Sequence, residues 1–283
     1  MIGLVTYDKF PDLTDDDRPL IEEFRRLGHD ARAVRWDDTS VGWHEFHALV
    51  LRSCWDYHLR PAEFRDWLDR VSEARIPLWN SAEVVRWNMH KSYLRDLAGR
   101  NVLIPETQWI AKGERRTLTD VLHQRGWTEA VVKPAISASA THTWRVHDSR
   151  TSRVPFDALV RESDVLVQEL IPEIAAEGEW SIVLIDGAIS HAALKRPKAG
   201  DFRVQWEHGG SSQRADAPPQ VTSAALATAR HIPGPWLYAR VDGVMTGRGF
   251  MLMEIECIEP HLFFAYRPAS RAQFANALAS RLV

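Results

Sequence analysis

The chain has 283 residues, 45% of them hydrophobic and 26% charged, which suffices for a sizeable core and about two domains. No run approaches the roughly 20 apolar residues that span a bilayer, the opening MIGLVTYDKF lacks a basic segment followed by an apolar one, and Cys54 and Cys257 have neither disulfide-framework nor zinc-ligand spacing. A soluble protein of the reducing cytoplasm is expected, with no membrane partner, and a net charge of -3 with dispersed Lys and Arg argues against nucleic acid, leaving small polyanions to consider.

In chain order, Ile2–Thr6 reads as a buried strand. Asp15, Asp16 and Asp17 ahead of Pro19 signal a helix start, and Leu20, Ile21, Phe24 and Leu27 form one apolar face that Gly28 can close in a left-handed cap. Ala48–Leu51 reads as another strand, followed by Arg52, Ser53, Cys54, Trp55, Asp56 and Tyr57, and then by an amphipathic helix carrying Phe64, Trp67, Leu68 and Val71. Such alternation predicts an α/β domain with a parallel sheet over residues 1–104. Open α/β sheets bind ligands beyond the carboxyl ends of their strands, so Arg52, Ser53, Trp55, Asp56 and Tyr57 are candidates for the acceptor side of a cleft. There a guanidinium could pair with a carboxylate or carboxamide, Asp56 with an amino group, and the aromatics could shape the pocket. The alternative is architectural: Trp55 and Tyr57 pack a domain interface and Arg52 pairs with Asp56. No GxGxxG follows the first strand, so a dinucleotide is not indicated.

From about residue 105 the chain is richer in strand-like runs, at residues 130–133, 165–168, 181–185 and 237–241. Residues 215–219 read as a polar, proline-containing surface connection and residues 221–230 as a helix. The sharpest local signal is a hairpin pattern, residues 238–242 and 250–256 separated by a stretch with Gly243, Gly247 and Gly249. Strand alternation puts Glu254 and Glu256 on one face and sends Met253, Ile255 and Cys257 into apolar packing. If the strands pair, Asp242 joins the two glutamates, and three hard oxygen ligands suit Mg ions bridged by nucleotide phosphates; Arg240 faces the same site. An isolated ExE is also what an exposed polar strand face shows, but closely spaced acids beside buried positions repel each other unless a cation is present. Lys133 ends a strand-like run before the small residues Ser137, Ala138, Ser139, Ala140 and Thr141, a setting in which a lysine can neutralise phosphates. By itself Lys133, like Lys91, is equally compatible with a solvated surface.

Taken in order, Lys91, Lys133, the run from Val165 through Gln168, Glu169, Leu170 and Ile171, Gly178 to Ser181, and the set Arg240, Asp242, Glu254 and Glu256 resemble the ATP-grasp superfamily, in its glutathione synthetase-like branch, over nearly the whole chain. Residues 52–57, residues 190–205 and Glu259 to Phe263 are similar to an actinobacterial-type group that includes the cyclo-ligase of cycloserine biosynthesis, which acts on O-ureido-serine. The resemblance implies an α/β fold, α+β in its C-terminal part: a Rossmann-like pre-ATP-grasp domain at 1–104, a small lid subdomain at 105–165 and a large subdomain with the metal site at 166–283. It implies ATP and two Mg ions as cofactors. Lys91 and Lys133 would contact phosphates, Gln168, Glu169 and the backbone of Leu170 and Ile171 the adenine, and Glu179 the ribose. Asp242, Glu254 and Glu256 would bind Mg, Arg240 and Arg203 would steady the transferring phosphate, and Gln205 would face the substrate. Two departures stand out: Glu254-Ile255-Glu256 replaces the ExN of many relatives, and the loop after Lys133 has no glycine.

The activity implied is ADP-forming ligation. ATP phosphorylates a carboxylate, and a nucleophile, most often an amine, displaces phosphate from the acyl phosphate. The substrate would be a small amino acid or derivative, joined to an amine acceptor or cyclised, in specialised metabolism; a homo-oligomer stays open. A catalytic role for Cys54 lacks an assignable base, and His191, His208 and His261 lack zinc spacing. A degenerate ATP-binding regulatory module and a small-molecule kinase are the alternatives.

Overall fold

A computed structural model describes residues 1–282. Its first sheet consists of β1 (Ile2–Thr6), β2 (Ala31–Arg35), β3 (Ala48–Leu51) and β4 (Leu78–Trp79), all parallel in the order β2-β1-β3-β4. Every residue of β1 and β3 is buried, which is why both read as unbroken apolar runs rather than as alternating strands. Helix α1 (Leu20–Arg26) buries Leu20 and Phe24, and α2 (Pro61–Glu73) buries Phe64, Trp67, Leu68 and Val71. The acids before α1 do not cap it: Pro19 holds the cap position, with no side-chain bond. Asp17 instead turns inward to Arg52 and Ser53, and Asp16 accepts the backbone N–H groups of Phe264 and Ala265 at 2.9 and 2.8 Å. The cluster ties distant parts of the chain together, because a buried N–H or guanidinium is a more demanding partner than a solvated helix end.

Helices α3 (Ala82–Met89) and α4 (Tyr93–Ala98) lead to a second, antiparallel sheet. It contains β5 (Thr107–Ile110), β6 (Ala130–Pro134), β7 (Trp144–Val146) and β8 (Val165–Glu169) in the order β5-β8-β6-β7. Helices α5 (Leu118–Arg125) and α6 (Ser149–Glu162) cover one face, where Val121 and Phe156 pack on Ala130, Val132, Val165 and Val167. Alternation along β6 leaves Val131 and Lys133 on the other face. The boundary expected between 165 and 166 cuts through β8, which pairs with both β5 and β6, so this sheet runs on to Glu169.

After α7 (Glu173–Glu177), a third sheet is built from β9 (Glu179–Ile185), β10 (Ala188–Arg196), β11 (Ser211–Arg214), β12 (Tyr238–Thr246) and β13 (Gly249–Glu256). All pairings are antiparallel, in the order β11-β10-β9-β12-β13, with the expected hairpin formed by β12 and β13. Helix α8 (Pro219–Ala229), with α3 and α4, covers the face carrying Ile182, Leu184, Ala239, Val241 and Ile255. The opposite face changes character along its length. Val183, Ile185 and Tyr238 pack under α9 (Ala269–Ala279) and against Leu4 and Phe24, whereas Glu179, Lys195, Arg240, Asp242, Glu254 and Glu256 line a cavity. The expected third segment ends at residue 283, outside the described residues.

Strand β13 is a sheet edge, and side chains complete it. Asn88 donates to the Ile255 carbonyl (2.8 Å) and accepts the Cys257 N–H (2.7 Å), while the Tyr93 hydroxyl donates to the Ile255 carbonyl (3.0 Å) and accepts its N–H (3.1 Å). These bonds stand in for a missing neighbour strand and fix the segment that carries Glu254 and Glu256. No helix among the described residues is long and apolar enough to cross a membrane.

Candidate active site

A cavity of about 750 Å³ opens between the second and third sheets and the N-terminal domain, within the size range of small-molecule sites. Val131 and Lys133 reach it from β6, and Gln168, Glu169, Leu170 and Ile171 from the end of β8 and the turn beyond. Glu179, Lys195, Arg240, Asp242, Glu254 and Glu256 come from the third sheet, and Trp55 and Tyr57 from the N-terminal domain.

The hairpin register sets Arg240 opposite Glu256 and Asp242 opposite Glu254. Arg240 holds Asp242 through Nε–Oδ1 (2.9 Å) and Nη2–Oδ2 (2.8 Å), and Nη2 also contacts Glu256. Lys195 Nζ lies 2.9 Å from Asp242 and 2.5 Å from Glu179, and the Ser181 hydroxyl donates to Asp242 at 2.7 Å. Lys91 Nζ pairs with Glu254 at 2.6 Å and donates to the Ser137 carbonyl at 3.1 Å. Burial pushes the Asp242 carboxyl up, but Arg240 and Lys195 outweigh it and hold it well below the usual carboxylate range. Glu256 goes the other way: burial, opposed by Arg240 but reinforced by Asp242 and Glu254, pushes it up to about 7.

The three carboxylates expected to bind Mg therefore share one face, with cations already interleaved among them. Among the described residues no three acidic, His or Cys groups enclose a metal by themselves. The donor set still fits Mg: all ligands are hard oxygens, and the Glu254 and Glu256 side chains are 30% and 26% exposed. The raised affinity of Glu256 for a proton marks a place where added positive charge is favourable.

Lys133 contrasts with Lys91 and Lys195. No carboxylate among the described residues lies within ion-pair distance of it, and burial pushes its ammonium down to about 8. It is an unpartnered cation in the cavity. The glycine-free loop after it reaches left-handed backbone at Ser139 (φ 50), Ala140 (φ 53) and His142 (φ 52), which costs strain that glycine would avoid. Two contacts brace the loop from across the cavity: the Ser139 hydroxyl with Glu207 at 3.3 Å and the Ser139 carbonyl with His208 Nε2 at 3.4 Å.

Gln168 is buried and donates to the Thr107 hydroxyl at 2.9 Å, and Glu169 accepts from the Glu106 N–H and from Arg248, both at 2.8 Å. Glu179 is buried on Lys195, with its carboxyl raised by burial and by Asp242 against the opposing pull of Lys195. Met253 departs from the alternation expected of it. A bulge between Asp242 and Gly243 leaves it unpaired, so it lines the cavity beside Ile171 while Ile255 and Cys257 are buried as expected.

Three of the five expected N-terminal substrate residues do not reach the cavity. Arg52 is 1% exposed: Nε donates to Asp17 at 3.0 Å, Nη2 to the Pro260 carbonyl at 3.0 Å, and the guanidinium stacks 5.0 Å from the Tyr238 ring. Ser53 is also buried on Asp17. Asp56 accepts from Trp36 Nε1 (2.8 Å) and Arg60 (2.5 Å), so neither its substrate role nor the alternative Arg52–Asp56 pair is formed. Partners inside the protein, acceptors for Arg52 and Ser53 and donors for Asp56, claim these groups before a ligand can. Trp55 and Tyr57 do line the cavity, as do Arg203, paired with Asp201 at 2.9 Å, and Gln205, whose Oε1 is buried without a partner.

Sequence reasoning gave no role to Lys195, which ends an apolar run beside Arg196 and so looks like a surface lysine, or to Glu259. It also missed Asn88, whose long-range bonds have no local signature.

Residues 2–80 match the family described as D-cycloserine synthetase DcsG, N-terminal domain. The cycloserine biosynthesis protein DcsG of Streptomyces lavendulae is 32% identical over 302 residues, covering 100% of this chain and 99% of the relative. The crystal structure of D-cycloserine synthetase DcsG superposes with a TM-score of 0.88 at 30% identity, over 100% of this chain and 99% of that one. D-alanine–D-alanine ligase from Bacillus anthracis, complexed with ATP, superposes with a TM-score of 0.70 at 16% identity, over 98% and 94%, a likeness of fold. With a nucleotide-sized cavity between its two antiparallel sheets, the chain belongs to the DcsG family within the ATP-grasp superfamily and is an ATP-dependent ligase.

Proposed function

We propose that the protein is an ADP-forming, Mg-ATP-dependent ligase that activates the carboxylate of a small amino acid or derivative as an acyl phosphate and closes an amide bond, between molecules or within a ring. The observation that carries this reading is the pairing in one cavity of an unpartnered, partly buried cation, Lys133, with a face of three carboxylates, Asp242, Glu254 and Glu256. The first calls for an anion and the second for a cation, and a metal–nucleotide complex brings both.

In this reading Lys133 and Lys91 hold phosphates, and Lys91 can do so by exchanging its bond to Glu254. Leu170, Ile171 and Met253 form the apolar bed for the adenine beside Gln168 and Glu169, and Glu179 takes the ribose hydroxyls. Asp242, Glu254 and Glu256 hold Mg, which when bound offsets negative charge on the phosphoryl oxygens. Arg240, fixed in the sheet by Asp242, and Arg203, on the loop over the cavity, steady the transferring phosphoryl group. Trp55, Tyr57 and Gln205 form the wall against which the acceptor lies. A carboxylate becomes an electrophile once one oxygen leaves as phosphate, so no protein nucleophile is needed; Cys54 is buried and burial pushes its thiol well up, which removes it from contention.

The test is release of ADP and phosphate across a panel of amino acids and derivatives, with hydroxylamine added to trap an acyl phosphate as a hydroxamate. A ligase of this kind gives ADP, free phosphate, a new amide and a trappable intermediate. ADP with a stable phosphoester would make it a kinase, and no ADP with any acceptor a binding module.

A further inference from the structure

Each carboxylate expected to act on the nucleotide or metal has a basic partner: Asp242 has Arg240 and Lys195, Glu179 has Lys195, Glu254 has Lys91 and Glu256 has Arg240. Glu259 lines the same cavity and has none. It is 7% exposed, and no basic side chain among the described residues lies within ion-pair distance of it. Burial, reinforced by Glu256 and Glu254, pushes its carboxyl well above the usual range, opposed by Lys91 and by a hydrogen bond from its own backbone N–H. Its carbonyl accepts Trp55 Nε1 at 2.8 Å, which anchors this residue against the N-terminal wall. Tyr57, also on that wall and 4% exposed, makes no side-chain hydrogen bond among the described residues, and Glu259 is the first charge its hydroxyl feels after burial itself.

A carboxylate buried without a cation is costly unless something supplies positive charge. The nucleotide carries no ammonium group, and in the reading above Asp242, Glu254 and Glu256 hold the Mg, so the cation left to meet Glu259 is an ammonium brought by the acceptor. We propose that Glu259, backed by Trp55 and Tyr57, receives the ammonium group of the acceptor substrate and is a specificity-determining residue of this enzyme. The proposal rests on the ligase reading above. An ammonium brings three donors and a full charge, and the aromatic faces beside it add cation–π attraction. The residue thereby selects amino acids over the matching hydroxy acids, which lack the cation and leave Glu259 unpartnered.

Saturation-transfer NMR with a panel of D- and L-amino acids and their 2-hydroxy counterparts tests this on wild type and Glu259→Gln, with and without a non-hydrolysable ATP analogue and Mg. We expect at least one amino acid to bind the wild type and to bind the variant roughly tenfold more weakly or worse, while hydroxy acids behave alike on both. Thermal melts should show the variant folded and melting no lower than the wild type, because it has lost an unpartnered carboxylate. A variant melting several degrees lower would make Glu259 architectural and overturn the proposal. Equal amino-acid binding by both proteins, or none by the wild type, would do the same, as would Mg alone stabilising the wild type and not the variant. Amino-acid binding through Glu259 without ADP release from any acceptor would leave the ammonium site standing and remove the ligase reading instead.

Discussion

Lys195 Nζ lies 2.9 Å from Oδ2 of Asp242 and at the same time 2.5 Å from Oε1 of Glu179, so one buried ammonium joins the acid expected to hold metal to the acid expected to hold ribose. The two acids sit on β12 and β9, which pair with Asp242 opposite Ser181. Without the lysine, two carboxylates would face each other in a buried setting. Lys195→Met should therefore cost about 3 kcal/mol, the low end for breaking a buried pair because Arg240 still holds Asp242. Urea denaturation checks this, and a variant as stable as the wild type would mean that Glu179 simply takes up a proton.

Lys133 gives a prediction with a defined pH window. Its ammonium is pushed down to about 8 from an ordinary value of 10.5. Below about 8 both folded and unfolded chains hold the proton, and the folded one bears the full cost of burying it. Between about 8 and 10.5 the unfolded chain binds more protons than the folded one, so stability rises with pH across that window. Lys133→Met should thus stabilise the nucleotide-free protein at pH 7, with the gain shrinking as pH climbs through the window. The same substitution should weaken ATP binding by roughly tenfold or more, since a phosphate loses its charge-assisted partner. Melts across pH and titration calorimetry read both effects; unchanged nucleotide affinity would remove Lys133 from the phosphate site.

Glu256→Gln keeps the side-chain volume and a contact to Arg240 but removes a charged ligand from the expected metal site. The fold should survive and turnover should fall by roughly 100-fold or more, the scale of losing a group that stabilises developing charge. Circular dichroism and single-turnover ADP formation test this, and activity near wild type would take Glu256 out of the metal site.

Arg52→Ala should unfold early rather than alter substrate use. It strands Asp17 in the interior, at a cost of about 3–5 kcal/mol, and removes a bond to the Pro260 carbonyl. Kinetics on the fraction still folded should show unchanged KM for the acceptor. A raised KM at normal stability would restore Arg52 as a substrate residue.

How much the sequence carried depended on the range of the interactions. Local pattern was enough: unbroken apolar runs for β1 and β3, buried on both faces, and periodicity for α1, α2 and the β12–β13 hairpin, because burial on one face imposes a repeat of 3.6 or 2 on the chain. The same alternation put Arg240, Asp242, Glu254 and Glu256 on one face, and it failed at Met253, where a bulge inserts one extra residue that no pattern announces. The boundary at 165 failed because β8 finds its partners, β5 and β6, far away in sequence. Arg52 is the sharpest case. Its position beyond a parallel strand is where ligands bind, yet Asp17, 35 residues earlier, claims the guanidinium first. Lys195 and Glu259 are likewise defined by their partners: one lysine flanked by two acids, and one glutamate with no cation. Residue type and strand phase are properties of the sequence, but whether a buried charge is satisfied depends on groups brought together from distant segments, and only the tertiary structure decides that.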